Sequence, residues 1–203
     1  MLLKVRNGLY SQQAYFCPDA WCENFVVGDA QGGNGLSFVS AQDPRVPVIG
    51  VGISLSMAPD SAFFTTKYSD VTSPIVLASG IEARLIEAEA AINAGDPSWF
   101  ATLNTLRATM VTPAMAAIPS MPTTTNAQID LLYGERAYWL YLTGRRLGDL
   151  RRLIRNYGRD PETVFPTGAY PLGGVYKGAT SIPFIFATEQ PQNPHLTSGC
   201  TTR

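Results

Sequence analysis

Residues 135–152 constrain this chain more than any other stretch. The segment from Ala137 through Leu142 includes Tyr138, Trp139, Leu140 and Tyr141 and leaves a helix with no polar side, so a helix ending here has to be buried. Gly144 breaks the run. Beyond it Leu147, Leu150 and Leu153 or Ile154 recur at helical spacing among arginines, which predicts a further amphipathic helix ending near Tyr157-Gly158.

Upstream, the same periodicity appears twice more. Ile81, Leu85, Ala88 and Ile92 fall at i, i+4, i+7 and i+11 and form a stripe along one helix face, with Glu82, Arg84, Glu87 and Glu89 largely off it. Gly95 suits the left-handed position that ends a helix, Asp96 suits a cap, and Pro97 suits the first helical position, where its missing N–H costs nothing. Trp99, Leu103, Leu106 and Met110 repeat the stripe. Two such helices with a short link make a hairpin of about 30 residues, near the size of a tetratricopeptide unit. Thr125 and Gln128 have capping-box spacing, so a third helix is expected from there through Ile129, Leu132, Tyr133, Ala137, Leu140 and Tyr141. The uncharged linker 111–124 is expected to lie against the fold.

The chain is therefore expected to be mainly α: a loop-rich lobe (1–79), a scaffold of tetratricopeptide-like hairpins (80–157) and a proline- and glycine-rich wrapping tail (158–203), in a single domain. In the lobe, Gly32-Gly33-Asn34-Gly35 and Asp43-Pro44-Arg45 read as turns, and 46–55 as a buried strand or hairpin. The net charge is −1 with both signs interspersed, which provides no electrostatic footprint for nucleic acid or an anionic membrane. No apolar run is long enough to span a bilayer, and the first residues carry charges where an export signal needs an unbroken apolar stretch.

Reactive chemistry finds little support. Asp149 lies four residues after Arg145 and three before Arg152, so both guanidiniums are expected to reach it as a structural ion pair, which lowers a carboxyl's pKa when a catalytic acid needs it raised. Glu87 and Glu89 face different ways and make no glycosidase-like pair. A nucleophilic triad has only His195 to use, and the glycines at 32–35 fit neither a P-loop nor a dinucleotide fingerprint. The expectation is a protein that is not an enzyme and has no cofactor. Cys17 and Cys22, together with His195 and Cys200, have spacings that also occur in structural zinc sites.

In their order, several motifs resemble those of the RagB/SusD family of outer-membrane nutrient-binding proteins. Asp43-Pro44-Arg45 and Lys67-Tyr68 resemble two early marks of that family. The segment from Glu82 to Ala90, Gly95-Asp96 and Leu103-Asn104-Thr105-Leu106-Arg107 resemble its helical hairpin. Glu135-Arg136, Gly144, Arg146 and Asp149-Leu150-Arg151-Arg152 resemble its main signature, and Ile182-Pro183-Phe184, Glu189 and Asn193-Pro194-His195-Leu196 its closing stretch. The likeness covers residues 40 to 196. Trp139 and Thr143 stand where the family usually has glutamates, and His195 where asparagine is more usual.

The resemblance implies a tetratricopeptide-like scaffold, a lipid-anchored position on the outer face of a Gram-negative outer membrane, and capture of an oligosaccharide or peptide for a SusC-like TonB-dependent transporter. It also implies that the chain corresponds to the C-terminal portion of such a protein, and that its exposed repeat faces promote self-association. Aromatic faces stack on sugar rings, so Tyr15, Trp21, Phe38, Phe63 and Phe64, in the loop-rich lobe, are the candidate ligand-binding residues. Under oxidising conditions a Cys17–Cys22 disulfide is the expected form and no metal site is expected; zinc and a different partner for Cys200 are the alternatives. A tetratricopeptide-like scaffold for protein partners is the alternative function.

Overall fold

A computed structural model describes residues 2–3, 27–30, 32–50, 63–68, 73–169 and 174–176. Helices α1 (Gly80–Ala94), α2 (Ser98–Thr109), α3 (Thr125–Trp139), α4 (Arg146–Tyr157) and the single turn α5 (Pro161–Val164) dominate them. Two small antiparallel ribbons accompany the helices: β1 (Leu2–Leu3) with β4 (Ile75–Val76), and β2 (Val48–Gly50) with β3 (Phe63–Thr65). Val48 pairs with Thr65, Ile49 with Phe64 and Gly50 with Phe63, so a short strand forms within 46–55, but it is not the buried one expected: Val48 is half-buried and Ile49 and Gly50 are exposed; residues 51–62 lie outside the described set.

Local chemistry sets the helix ends. The Ser79 hydroxyl accepts from the Glu82 amide, and Gly95, at φ 70°, returns its N–H to the carbonyls of Ala91 and Ile92. Asp96 then caps α2 by accepting from the Ser98 amide at 2.9 Å. At α3 the cap is Thr124, one residue before the expected Thr125, and it accepts from the Ala127 amide. Gln128, instead of closing a capping box, donates to the Pro122 carbonyl at 2.9 Å.

The chain forms two compact units. The first comprises residues up to Asp29 together with Leu36–Arg146; the second comprises Ala30–Gly35 and residues from Leu147 onward. In the first, α2 follows α1 after three residues and packs back on it, and α3 also packs on α1. Leu85, Ala88, Ile92, Trp99, Leu103, Leu106, Ile129, Leu132 and Tyr133 are its core. Each such aliphatic side chain contributes about 1.5–3 kcal/mol by leaving water. The linker 111–124 is tied to α2: the Ile118 amide donates to the Asn104 side chain at 2.7 Å, and Arg107 Nε donates to the Ala116 carbonyl at 2.8 Å.

Three expectations from periodicity need correction. Met110 and Leu147 are exposed, because each sits at a helix end where the stripe has run past its packing partner or not yet reached it. Glu89, expected off the buried face, is buried and accepts from the Tyr133 hydroxyl at 2.9 Å, so a hydrogen bond makes its burial tolerable. Helix α3 stops at Trp139; Leu140 and Tyr141 are buried as expected, but in the turn that follows.

The second unit is held at one edge by a clip. Its turn at 32–34 places Asn34 Nδ2 within 2.9 Å of the Phe165 carbonyl, 3.0 Å of Thr163 and 3.4 Å of Glu162. Asn34 Oδ1 accepts from the Thr167 amide at 3.0 Å, and the Gly33 amide donates to the Thr167 carbonyl at 2.7 Å. Gly32 is required there: its φ is +66°, and a Cβ would lie 2.1 Å from the Thr167 carbonyl oxygen. Further along, Ala169 bridges Val175. Most of the expected wrapping tail lies outside the described residues.

Candidate functional site

A charged residue on the buried face of a helix needs partners, and α3 places Glu135 there, three residues beyond Leu132. Its carboxylate is 8% exposed and receives two guanidiniums, Arg45 Nη1 at 2.6 Å and Arg107 Nη1 at 2.7 Å. Trp139 Nε1, one turn on, donates to the same carboxylate at 3.2 Å. Arg45 also binds Asp43 in a fork, Nε to Oδ1 at 2.8 Å and Nη2 to Oδ2 at 2.6 Å. Two acids and two arginines from three distant segments thus form a neutral network.

Pro44 holds the turn that makes the fork possible, with the Val46 amide donating to the Asp43 carbonyl at 2.9 Å. Burial pushes the Asp43 carboxyl up, but hydrogen bonds from Arg45 and the charges of Arg45 and Arg107 outweigh it and hold the group below its ordinary 3.8. Burial likewise disfavours the Arg45 charge, and the Asp43 and Glu135 carboxylates overcome that and raise its pKa. A carboxyl held ionised by arginine is a poor proton donor at neutral pH, and the network ties the segments of Asp43-Arg45, Arg107 and Glu135 together.

Aromatic rings surround the network. The Arg45 guanidinium lies 5.1 Å from the Tyr138 ring centre and 4.8 Å from that of Trp139. Phe38 packs on Tyr138 at 5.3 Å and on Tyr141 at 5.5 Å. The turn that carries Phe38 is fixed by Asp29, which accepts from the amides of Val39 and Ser40 at 2.9 and 3.1 Å. Phe38, Tyr138 and Trp139 are half-buried, and each keeps part of its surface in solvent.

The end of α3 is held from the side by Lys67-Tyr68. Lys67 Nζ donates to the Tyr141 carbonyl, and the Tyr68 hydroxyl donates to the Leu142 carbonyl at 3.0 Å. A cation at a helix C-terminus opposes the negative end of the helix dipole. Leu142 adopts φ 55°, a conformation that a residue with a Cβ rarely takes, and Tyr68 holds its carbonyl in place. Burial pushes the Lys67 amine below its ordinary 10.5.

Of the five candidate ligand-binding aromatics, Phe38 lies in this cluster. Phe63 and Phe64 are half-buried in strand β3 and not on a loop; the Phe63 ring lies over Gly50, where a side chain would crowd it. Tyr15 and Trp21 lie outside the described residues, as do Cys17 and Cys22. The expected ion cluster divides: Arg152 reaches Asp149 at 3.8 Å, whereas Arg145 pairs with Glu82 at 2.7 Å and donates to the Leu77 carbonyl. The sequence reading missed the Asp43–Arg45–Glu135–Arg107 network. Glu135 at a buried helical position was the available signal, but it does not name its partners. Among the described residues, no three His, Cys, Asp or Glu side chains gather as metal ligands, and no helix is long and apolar enough to cross a membrane.

Compared with known proteins, the chain matches no family model, no curated protein and no solved structure.

Proposed function

We propose that this chain is a nutrient-binding protein of the RagB/SusD kind, capturing an oligosaccharide at the outer membrane for delivery to a SusC-like TonB-dependent transporter. One observation carries the reading: Asp43, Arg45, Lys67, Tyr68, Arg107 and Glu135, which belong to four separate motifs of the resemblance, gather around the second half of α3. In this reading the helices are a tetratricopeptide-like scaffold, the network fixes the loop-bearing segments on it, and the half-buried rings beside Phe38 offer faces to a sugar.

The test is calorimetric titration of the purified chain with a panel of neutral oligosaccharides, alongside Phe38→Ala. The reading expects enthalpy-driven binding to particular glycans, weakened about tenfold or more by loss of one stacking face. No glycan binding at millimolar ligand would refute it. The second reading, a scaffold for a protein segment, is favoured by the way α2 folds back on α1 beside α3. Binding to unstructured peptides without binding to glycans would select it.

A further inference from the structure

We propose that Asn34 is a self-modification site, whose conversion to aspartate or isoaspartate releases 162–165 from the clip that holds 162–167. Asn34 is followed by Gly35, which has no Cβ to hinder its own backbone nitrogen, and both residues are described and outside any helix or strand. Once the Gly35 nitrogen loses its proton to base, it attacks Asn34 Cγ. A C–N bond forms, the Cγ–Nδ2 bond breaks, and Nδ2 leaves as ammonia after taking a proton from water. Water then opens the resulting succinimide at either carbonyl. One water is consumed and one ammonia released, with no change of oxidation state.

The clip controls this reaction and is its target. Nδ2 faces three carbonyl oxygens, of which Phe165 and Thr163 are nearest at 2.9 and 3.0 Å, while Oδ1 accepts from the Thr167 amide at 3.0 Å. An amide held at both ends is not free to turn its carbon toward Gly35, so conversion proceeds from the opened clip. These hydrogen bonds are solvent-exposed and compete with water, which makes local opening the accessible route. After conversion the donor is gone: a carboxylate only accepts, and it faces carbonyl oxygens that also only accept. The bonds to the carbonyls of Glu162, Thr163 and Phe165 do not re-form, so 162–165 is released and Thr167 keeps only the bond its own amide donates and its bond from Gly33.

The experiment incubates the full chain in mildly alkaline buffer, folded and in urea. Mass spectrometry follows the amide-to-acid mass gain and isoaspartate at Asn34, with fragmentation to separate it from Asn7-Gly8. Conversion is expected in both samples, about tenfold or more slower in the folded one. In hydrogen exchange, Asn34→Asp is expected to speed exchange at 162–165 and leave α2 unchanged, and Gly35→Ala to suppress conversion. Equal rates in the folded and urea samples, no folded-state conversion while the unfolded chain converts fully, or unchanged exchange at 162–165 in Asn34→Asp would each overturn the proposal. The comparison of rates needs no variant, so it stands even if Asn34→Asp does not fold.

Discussion

Replacing Arg45 by alanine removes the centre of the buried network. The side chain is 4% exposed, bonds both Asp43 and Glu135, and lies against two aromatic rings. Breaking a buried ion pair from one side costs about 3–5 kcal/mol, because the remaining charge is left without compensation. Here the compensation is partial. Glu135 keeps Arg107 at 2.7 Å and the Trp139 N–H, and Asp43 keeps the backbone amide of residue 45 at 2.9 Å. The charge cost therefore falls at the low end, about 3 kcal/mol, with about 0.5–1 kcal/mol more from the lost contacts with Tyr138 and Trp139. With a urea slope of about 2 kcal/mol/M, the midpoint should fall by about 1.5–2 M, read from tryptophan fluorescence, to which Trp139 in the network contributes. Arg84→Ala is the control: it breaks an ion pair whose side chains are 63% and 60% exposed, and should change stability by less than about 0.5 kcal/mol. If Arg45→Ala shifts the midpoint no more than Arg84→Ala does, the network does not hold the segments together and the reasoning fails.

Further outcomes can be measured in the same way. Asp43 has a depressed pKa in the folded chain, so its contribution is fully present above 3.8 and disappears as pH falls through the lower folded value; urea midpoints of Asp43→Asn should lose part of the acid dependence below about pH 4 seen in the parent. Trp99→Ala, at a site 2% exposed, should cost about 3–5 kcal/mol by leaving a cavity, and a cost under about 1 kcal/mol in urea titration would mean that the α1–α2 core relaxes around it. Gly95→Ala should cost about 1 kcal/mol from its left-handed φ alone, since nothing lies within 4 Å of the added carbon, while Gly32→Ala also meets the Thr167 carbonyl and should speed hydrogen exchange at 162–167. Sedimentation at rising concentration should show self-association through exposed side chains such as Ile86 and Met110; a monodisperse monomer throughout counts against it.

What could be read from the sequence was governed by neighbours along the chain. The stripes through Leu85, Ala88 and Ile92 and through Trp99, Leu103 and Leu106, the stop at Gly95 and the Asp96 cap all depend on residues within one or two helical turns, and they fold as their spacing dictates. The burial of Leu140 and Tyr141 followed from the lack of any polar side on that stretch, although they lie in the turn after α3 and Tyr138 and Trp139 are only half-buried. Some failures were local, since Thr124 and Thr125 are chemically equal as caps; others, such as the burial of Glu89 beside Tyr133, depended on a partner far along the chain.

Partnership between charges could not be read in this way. Arg45 and Glu135 are 90 residues apart, Arg107 and Glu135 are 28 apart, and Asn34 reaches 131 residues along to Phe165. Local sequence shows that Gly32-Gly33-Asn34-Gly35 turns, but the partner of a long side chain is chosen by which backbone segments come within a few ångströms of it. The sequence by itself determined roughly where the helices lie and most of the side chains on them that avoid water, Glu89, Met110 and Leu147 being the exceptions. The tertiary structure alone decided that Asp43, Arg45, Arg107 and Glu135 neutralise one another, because in a desolvated interior a charge is stable only beside its opposite, and chain folding supplies that opposite from far away.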